Sequence, residues 1–405
     1  MDIKNIKSEF PIFKQKINGK PLVYLDSANS SQKPKTVIDR MSNFYETEFS
    51  NVGRSVHTLA VKATNRFEAT RDIVKKYLNA QHREEIVFTK GATESINLVA
   101  SSFGEKHIKA GDEILITELE HHSNYVPWHF LRKKKGALIK FAPVNNNGEV
   151  EIDEIKKLIT DKTKIIAITH ISNVTGVVLP IKKIVDLAKE KNIPVLVDGT
   201  QGAPHMKIDM QDLGCDFYVI SCHKMYGPNG LGVLYAKKKW LDDLPPYQGG
   251  GGMIDEVKKD NITFADSPTK FEAGTMQTAE VVAFAEAINF IEKLGIKNIA
   301  AHENKILEYA YEKLKKNNSI NIIGNPKNRG SVLCFTIKDI HPHDIATILD
   351  DDGVAIRAGH HCCQILHDKL GIAATARASI GVYNTKEDID ILCKAIDNCK
   401  KVFQT

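Results

Sequence analysis

None of the seven cysteines falls in a CxxC pair, and seven is an odd number. A disulfide framework or a zinc finger therefore has no scaffold in this sequence. No run reaches the roughly 18–20 apolar residues of a membrane-spanning helix. The first residues, MDIKNIKSEFPIFKQ, mix charged and apolar side chains and lack the apolar stretch of a secretory signal. Acidic residues that early also argue against a transit peptide. Charge of one sign is scarce as well: 55 Lys+Arg against 50 Asp+Glu leave +5 over 405 residues. That balance is too even to argue for a nucleic-acid or membrane-surface protein. Repeats and low-complexity tracts are absent. With 42% hydrophobic and 26% charged residues, the composition is that of a folded protein with a full core. A reducing cytoplasm is its expected compartment.

Short apolar runs are present at Ile86-Val87-Phe88, Glu113 to Ile116, Ile165 to Ile168, Val195-Leu196-Val197, Phe217 to Ile220 and Gly232 to Tyr235. Between several of them lie amphipathic stretches, such as 181–191 with Ile181, Ile184, Val185 and Leu187 on one face. This alternation predicts a mostly parallel sheet covered by helices on both faces. Helices are expected over about 34–80, with an interruption at Asn51 to Arg54, and over about 278–316, with a bend near Gly295. The expected division is an N-terminal extended segment 1–30, a large domain 31–291 and a smaller domain 292–405.

Ligands of open α/β sheets bind at the carboxyl ends of strands. The run at 195–197 ends in Asp198-Gly199-Thr200-Gln201, and the run at 217–220 ends in Ser221-Cys222-His223-Lys224. A lysine delivered into a cleft there loses its proton more easily and suits Schiff-base chemistry. An aspartate beside it suits the pyridinium nitrogen of pyridoxal 5'-phosphate (PLP). Each residue alone is as well explained by a solvated lysine and an N-cap; the pair after two apolar strands favours the cofactor. Gly91-Ala92-Thr93 opens a helix after the run at 86–88, which makes an anion site or an ordinary cap. Glu120-His121-His122 follows another strand, and at most one of its histidines is expected to serve a cofactor. The Gly249–Gly252 run reads as a turn.

Arg357-Ala358-Gly359-His360-His361-Cys362-Cys363 gathers cationic and imidazole groups around two thiols. A reactive thiolate is the favoured reading. A zinc site, which would need further ligands, and a buried structural cysteine are the alternatives. The other five cysteines (Cys215, Cys222, Cys334, Cys393, Cys399) are expected to be inert packing.

Four segments in order, Glu120-His121-His122, Ser221-Cys222-His223-Lys224, Phe271-Glu272-Ala273-Gly274-Thr275 and Arg357 to Cys362, resemble PLP-dependent cysteine desulfurases of the SUF (sulfur-mobilisation) type, within the class-V aminotransferases. The likeness runs from Tyr24-Leu25-Asp26 to Tyr383-Asn384-Thr385. It implies PLP fold type I: a large domain with a mostly parallel seven-stranded sheet and a smaller C-terminal α/β domain carrying the cysteine loop.

The resemblance also implies residue roles. Lys224 holds PLP and acts as base, Asp198 pairs with the ring nitrogen, Gln201 with the ring hydroxyl, and His121 stacks on the ring and serves catalysis by moving protons. Ala92, Thr93, Ser221 and His223 take the phosphate, with Thr275 reaching the phosphate of a partner subunit in a homodimer with composite sites. Arg377 and Asn173 bind the substrate carboxylate, and Arg54 and Arg357 line the site. Cys362 takes sulfur from L-cysteine as a persulfide, releases alanine, and passes the sulfur to an acceptor protein (SufE- or SufU-like) and an iron–sulfur scaffold. Selenocysteine lyase activity is a possible side reaction. Cys363 and Cys222 depart from the usual pattern, so Cys363 is expected to be a bystander or a second sulfur carrier. An aminotransferase-like or kynureninase-like enzyme with an incidental Cys362, and a metal-binding scaffold on His360 to Cys363, are the competing readings.

Overall fold

The computed structural model describes residues 1–53 and 55–403, so the site residue expected at Arg54 lies outside the described residues. Seven strands, β1 (Ile86–Thr89), β2 (Glu113–Thr117), β3 (Leu138–Ala142), β4 (Thr163–Thr169), β5 (Val195–Asp198), β6 (Phe217–Ser221) and β7 (Gly232–Ala236), lie side by side in the order β1-β7-β6-β5-β4-β2-β3. β7 alone runs opposite to the other six. It follows β6 through a short loop, whereas the parallel pairs need crossovers. All six apolar runs of the sequence are strands. The edge strand β3 carries no comparable run: Leu138 is exposed, and Lys140 pairs with Glu113 at 2.9 Å.

The inner strands are buried on both faces, which is why they read as unbroken apolar runs. Adjacent residues go to opposite cores. Val87, Ile114, Leu196 and Phe217 face one core with Ile96, Phe103 and Trp128. Phe88, Leu115, Val197 and Tyr218 face the other with Ile288. Truncating any of the aromatic side chains here costs about 3–5 kcal/mol.

A second sheet holds β8 (Ile320–Ile322), β9 (Val332–Ile337), β10 (Arg357–Gly359) and β11 (Thr375–Ser379) in the all-antiparallel order β8-β9-β11-β10. One face packs on helices Ile296–Lys315, Pro342–Asp351 and Lys386–Phe403 through Leu307, Phe335, Ile345, Leu392 and Ile396. Along β11, Ala376 and Ala378 join that core. The period of two therefore sends Thr375, Arg377 and Ser379 to the opposite face. There Thr375 bonds His361, Arg377 bonds Asn173 after β4 and Asp26 of the N-terminal segment, and Ser379 accepts from Ala28.

Two expectations are corrected. Residues 1–30 are not simply extended: they begin with the helix Ile3–Ser8, capped by Asp2, and a 3-10 turn at Pro11–Lys14. A six-residue helix is too short for its period to show in sequence. The segment packs on both halves: Phe10 lies edge-on to Tyr226, Phe290 and Tyr383, while Val23 pairs with Val354. At Gly295 the chain breaks rather than bends, with φ +80° separating Thr278–Leu294 from Ile296–Lys315. Among the described residues no helix is long and apolar enough to cross a membrane.

Candidate active site

The carboxyl ends of the parallel strands open into a cavity of about 230 Å³. Five strands supply wall residues at or after their ends: Ala92 and Thr93 after β1, His121 and Ser123 after β2, Thr169, Ile171 and Asn173 around the end of β4. Asp198, Thr200 and Gln201 follow β5, and Ser221, His223 and Lys224 follow β6. Arg357 and Cys362 enter from the second sheet, and Asn29 from the N-terminal segment.

Lys224 ends a tight 3-10 turn, Cys222–Lys224, directly after β6. Burial and the nearby Arg377 cation pull its amine down to about 8, with Asp198 opposing them. A free amine is therefore accessible near neutral pH. Asp198 is 5% exposed and its Oδ1 accepts the Thr200 N–H at 3.0 Å. Gln201 donates through Nε2 to the Ala28 carbonyl at 2.7 Å. Its Oε1 and Thr200 Oγ1 are buried without a partner among the described residues. Burial and Lys224 drive His121 down to about 3, so the ring is neutral. Its Nδ1 accepts the Ser123 N–H at 3.1 Å, which leaves the proton on Nε2.

At the other end of the cavity, the helix Ala92–His107 begins with its free N–H groups toward Ser221, whose Oγ accepts from Ala92 at 3.1 Å. Thr93 and Ser123 hydroxyls sit 2.7 Å apart beside it. Gly91 is at φ +154°, and a Cβ on Gly232 would meet the Gly91 Cα at 2.5 Å, so both positions exclude side chains. An anion-binding helix end, a buried carboxylate, two orphaned polar atoms and a depressed amine fit the groups of PLP: phosphate, ring nitrogen, ring hydroxyl and aldehyde.

The thiol side is built differently. Cys362 is half-buried, and Arg357 Nη2 lies 3.7 Å from its Sγ. Arg357 is itself held through Nη1 on Asn29 Oδ1 at 2.8 Å. His361 and Cys362 are both left-handed, at φ +52° and +57°. Such non-glycine residues cost about 1 kcal/mol or more each. Bonds from the first sheet offset that strain: His122 N–H to the Cys362 carbonyl at 2.7 Å, and Asn173 Nδ2 to the His361 carbonyl at 2.6 Å. Cys363 points the other way, fully buried, donating its thiol to the Leu119 carbonyl at 3.2 Å. Burial pushes that thiol far above its usual range.

Arg377 does not line the cavity; it stands behind it, 1% exposed. Its Nη1 bonds the Asn173 carbonyl and its Nη2 pairs with Asp26, each at 3.2 Å, while Nε has no partner among the described residues. The carboxamide of Asn173 is committed to the cysteine loop. Thr275 is exposed and forms no part of this lining. Sequence reasoning missed Asn29, Ser123, Thr169, Ile171 and Thr200. Ser123 and Thr200 sit within two residues of His121 and Asp198, a signal that was available; Asn29 and Ile171 carried none. His360 to Cys363 do not converge as a ligand set, since His361 Nε2 faces Thr375 at 2.9 Å and Cys363 faces Leu119.

The aminotransferase class-V family profile matches residues 23–392. A protein from Staphylococcus epidermidis named probable cysteine desulfurase is 50% identical over 403 residues, covering 99% of this chain and 98% of its own. The crystal structure of the cysteine desulfurase CsdA, in an S-sulfonic acid form, from Escherichia coli superposes with a TM-score of 0.92 at 36% identity over 99% of both chains. The apo cysteine desulfurase from Thermococcus onnurineus NA1 gives 0.93 at 34% identity over 98% of both.

Proposed function

Because the chain belongs to the aminotransferase class-V family, we propose that it is a PLP-dependent cysteine desulfurase. It converts L-cysteine to L-alanine and leaves the sulfur as a persulfide on Cys362. The observation that carries this reading is a half-buried thiol, with a guanidinium 3.7 Å from its sulfur, in the same cavity as Lys224 and Asp198. An aminotransferase has no use for that thiol.

Bound in the cavity, PLP supplies an electron sink that labilises the substrate Cα–H and Cβ–S bonds. Asp198 would hold the proton on the ring nitrogen, Gln201 Oε1 would meet the ring hydroxyl, His121 would cover the ring, and the start of the helix Ala92–His107 with Ser221, Thr93 and His223 would take the phosphate. Arg357 and Asn173 line the cavity where the substrate carboxylate would sit, and Arg377 behind them adds its positive charge and holds Asn173 through the main-chain carbonyl. The Lys224 amine receives the Cα proton at Nζ. Cys362 Sγ, as thiolate, attacks the substrate sulfur: an S–S bond forms, the Cβ–S bond breaks, and Cβ gains a proton. The balance is L-cysteine plus enzyme thiol to L-alanine plus enzyme persulfide.

Residues 31–291 would serve as the PLP-binding domain and 292–405 as the thiol-bearing one. The pinned cysteine loop supports presentation of the persulfide in place to a visiting sulfur-acceptor protein of an iron–sulfur assembly system in the cytoplasm. Exposed Thr275 supports a homodimer in which it reaches the partner's phosphate site. Selenocysteine, whose Cβ–Se bond is weaker than Cβ–S, would serve as a second substrate. Mass spectrometry after incubation with L-cysteine tests the reading: one added sulfur atom on the peptide carrying Cys362 is expected. Alanine release with no sulfur on that peptide would refute it.

A further inference from the structure

Directly behind the Lys224 turn lies a lysine that makes no ion pair among the described residues. Lys33 is half-buried, and burial lowers its amine to about 8. Burying an unpaired ammonium is costly, and a surface lysine has no reason to do it. Its Nζ instead bonds three oxygens of the turn and its own segment: the His223 carbonyl at 2.9 Å, the Ser31 carbonyl, and Ser30 Oγ at 3.4 Å.

The His223 carbonyl is the point on which this segment converges. It accepts from Lys33 Nζ, from the Ser31 N–H and Ser31 Oγ at 3.0 Å each, and from Ser30 Oγ at 3.3 Å. A carbonyl has two lone pairs, so four donors share it, and the charged one is the strongest. That carbonyl belongs to the peptide unit that carries the Lys224 N–H, so fixing it fixes the root of the Lys224 side chain. The same serine also reaches past the lysine: Ser31 Oγ accepts the N–H of Tyr226 at 2.8 Å. Tyr226 is left-handed at φ +61°, a conformation a bulky residue holds only under external restraint. The Lys224 turn is thus strained on its far side and clamped on its near side by one segment.

We propose that Lys33 is a positioning residue for the Lys224 amine, clamping the His223–Lys224 peptide so that Nζ projects into the cavity at one fixed place. This rests on the reading of Lys224 as the PLP-binding lysine. Misplacing a reacting group by an ångström is enough to cost an order of magnitude or more in rate. Ser31 assists through the same carbonyl.

The test uses full-length apoprotein and holoenzyme of Lys33→Met, which keeps the apolar stem and removes the charge, and of Ser31→Ala. Apoprotein is mixed with PLP, the adduct is trapped with borohydride, and its rate of appearance on Lys224 is followed by mass spectrometry. In Lys33→Met, capture should slow by about tenfold or more. The kcat for alanine formation should fall by a similar factor while KM for L-cysteine stays within about twofold. Ser31→Ala should show the same split at about threefold, and decides the matter alone if Lys33→Met does not fold. Capture at the wild-type rate in a folded variant overturns the proposal. So does a rise in KM matching the fall in kcat, which would mean general loosening of the cavity. A wild-type apoprotein that captures no PLP on Lys224 would instead overturn the cofactor assignment beneath it.

Discussion

The cavity's two reactive turns, one carrying Lys224 and one carrying Cys362, solve opposite problems. The lysine turn grows from a central strand of the large sheet, and its backbone is clamped from behind by the segment Ser30–Lys33. The cysteine turn leaves the edge strand β10 of the second sheet, takes two left-handed residues in a row, and is held by His361 on Thr375 of its own sheet and by bonds that cross to the first sheet. An amine that must be neutral near pH 7 needs burial and a neighbouring cation, both of which a deep turn supplies. A sulfur that must leave the enzyme needs a face open to another molecule, which a rim turn supplies. Depth therefore separates capture of the aldehyde from transfer of the sulfur.

Two substitutions break the comparison most sharply. Lys224→Ala should abolish both halves of the reaction, with turnover down by about 10³-fold or more and no borohydride-trappable PLP. Cys362→Ala should lose sulfur output to a similar extent yet still exchange the substrate Cα proton with solvent deuterium. Loss of that exchange in Cys362→Ala would mean that the two turns do not act separately.

The lysine side carries a stability cost that comes from charge, where that of the cysteine turn comes from backbone strain. Lys224 titrates near 8 in the folded chain against an ordinary 10.5. The unfolded chain therefore binds more protons between those values, and apoprotein stability rises with pH across that window. Below pH 8 the folded chain pays the full penalty, at most about 3 kcal/mol. Lys224→Met should accordingly stabilise the apoprotein at pH 7 by up to that amount, and the gain should shrink as pH climbs from 8 to 10.5. Denaturant unfolding at both ends of the window measures it; a gain independent of pH would place the lysine's difficulty elsewhere than in its charge.

The two turns were unequally legible. Parallel strands buried on both faces announce themselves as apolar runs, and their carboxyl ends converge on one edge, so Asp198 and Lys224 were placed by arithmetic on strand ends. β3 escaped because an edge strand with Lys140 at its middle has only one face to bury. The rim was read through chemistry alone: His360 to Cys363 advertise reactivity, but which thiol faces the cavity depends on the left-handed pair, for which the sequence shows no glycine. Arg377 was expected on the substrate; β11's alternation places it there in direction but one layer back, paired with Asp26. The clamp on Lys224 went unread because its work is done by a main-chain carbonyl and small hydroxyls, which leave no periodic trace.

Arg377 sharpens the contrast because it serves both turns, depressing Lys224 from one side and bonding Asn173, which grips the cysteine loop, from the other. Arg377→Lys keeps the charge but not the planar fork. We expect KM for L-cysteine to rise about tenfold, with a smaller change in kcat. An unaltered KM would remove its role in substrate binding.

The smallest effect should come from the residue nearest the sulfur. Cys363 adjoins Cys362, yet its thiol is fully buried, bonded to the Leu119 carbonyl, and held protonated by burial. A protonated thiol attacks sulfur poorly. Cys363→Ala should thus leave sulfur transfer within about twofold of wild type while costing about 1 kcal/mol of stability from the lost contact and small cavity. Urea unfolding and persulfide mapping on the same samples separate the two. If Cys363→Ala instead silenced sulfur release as fully as Cys362→Ala, the sulfur would have to pass through the buried thiol, and depth would no longer divide the chemistry.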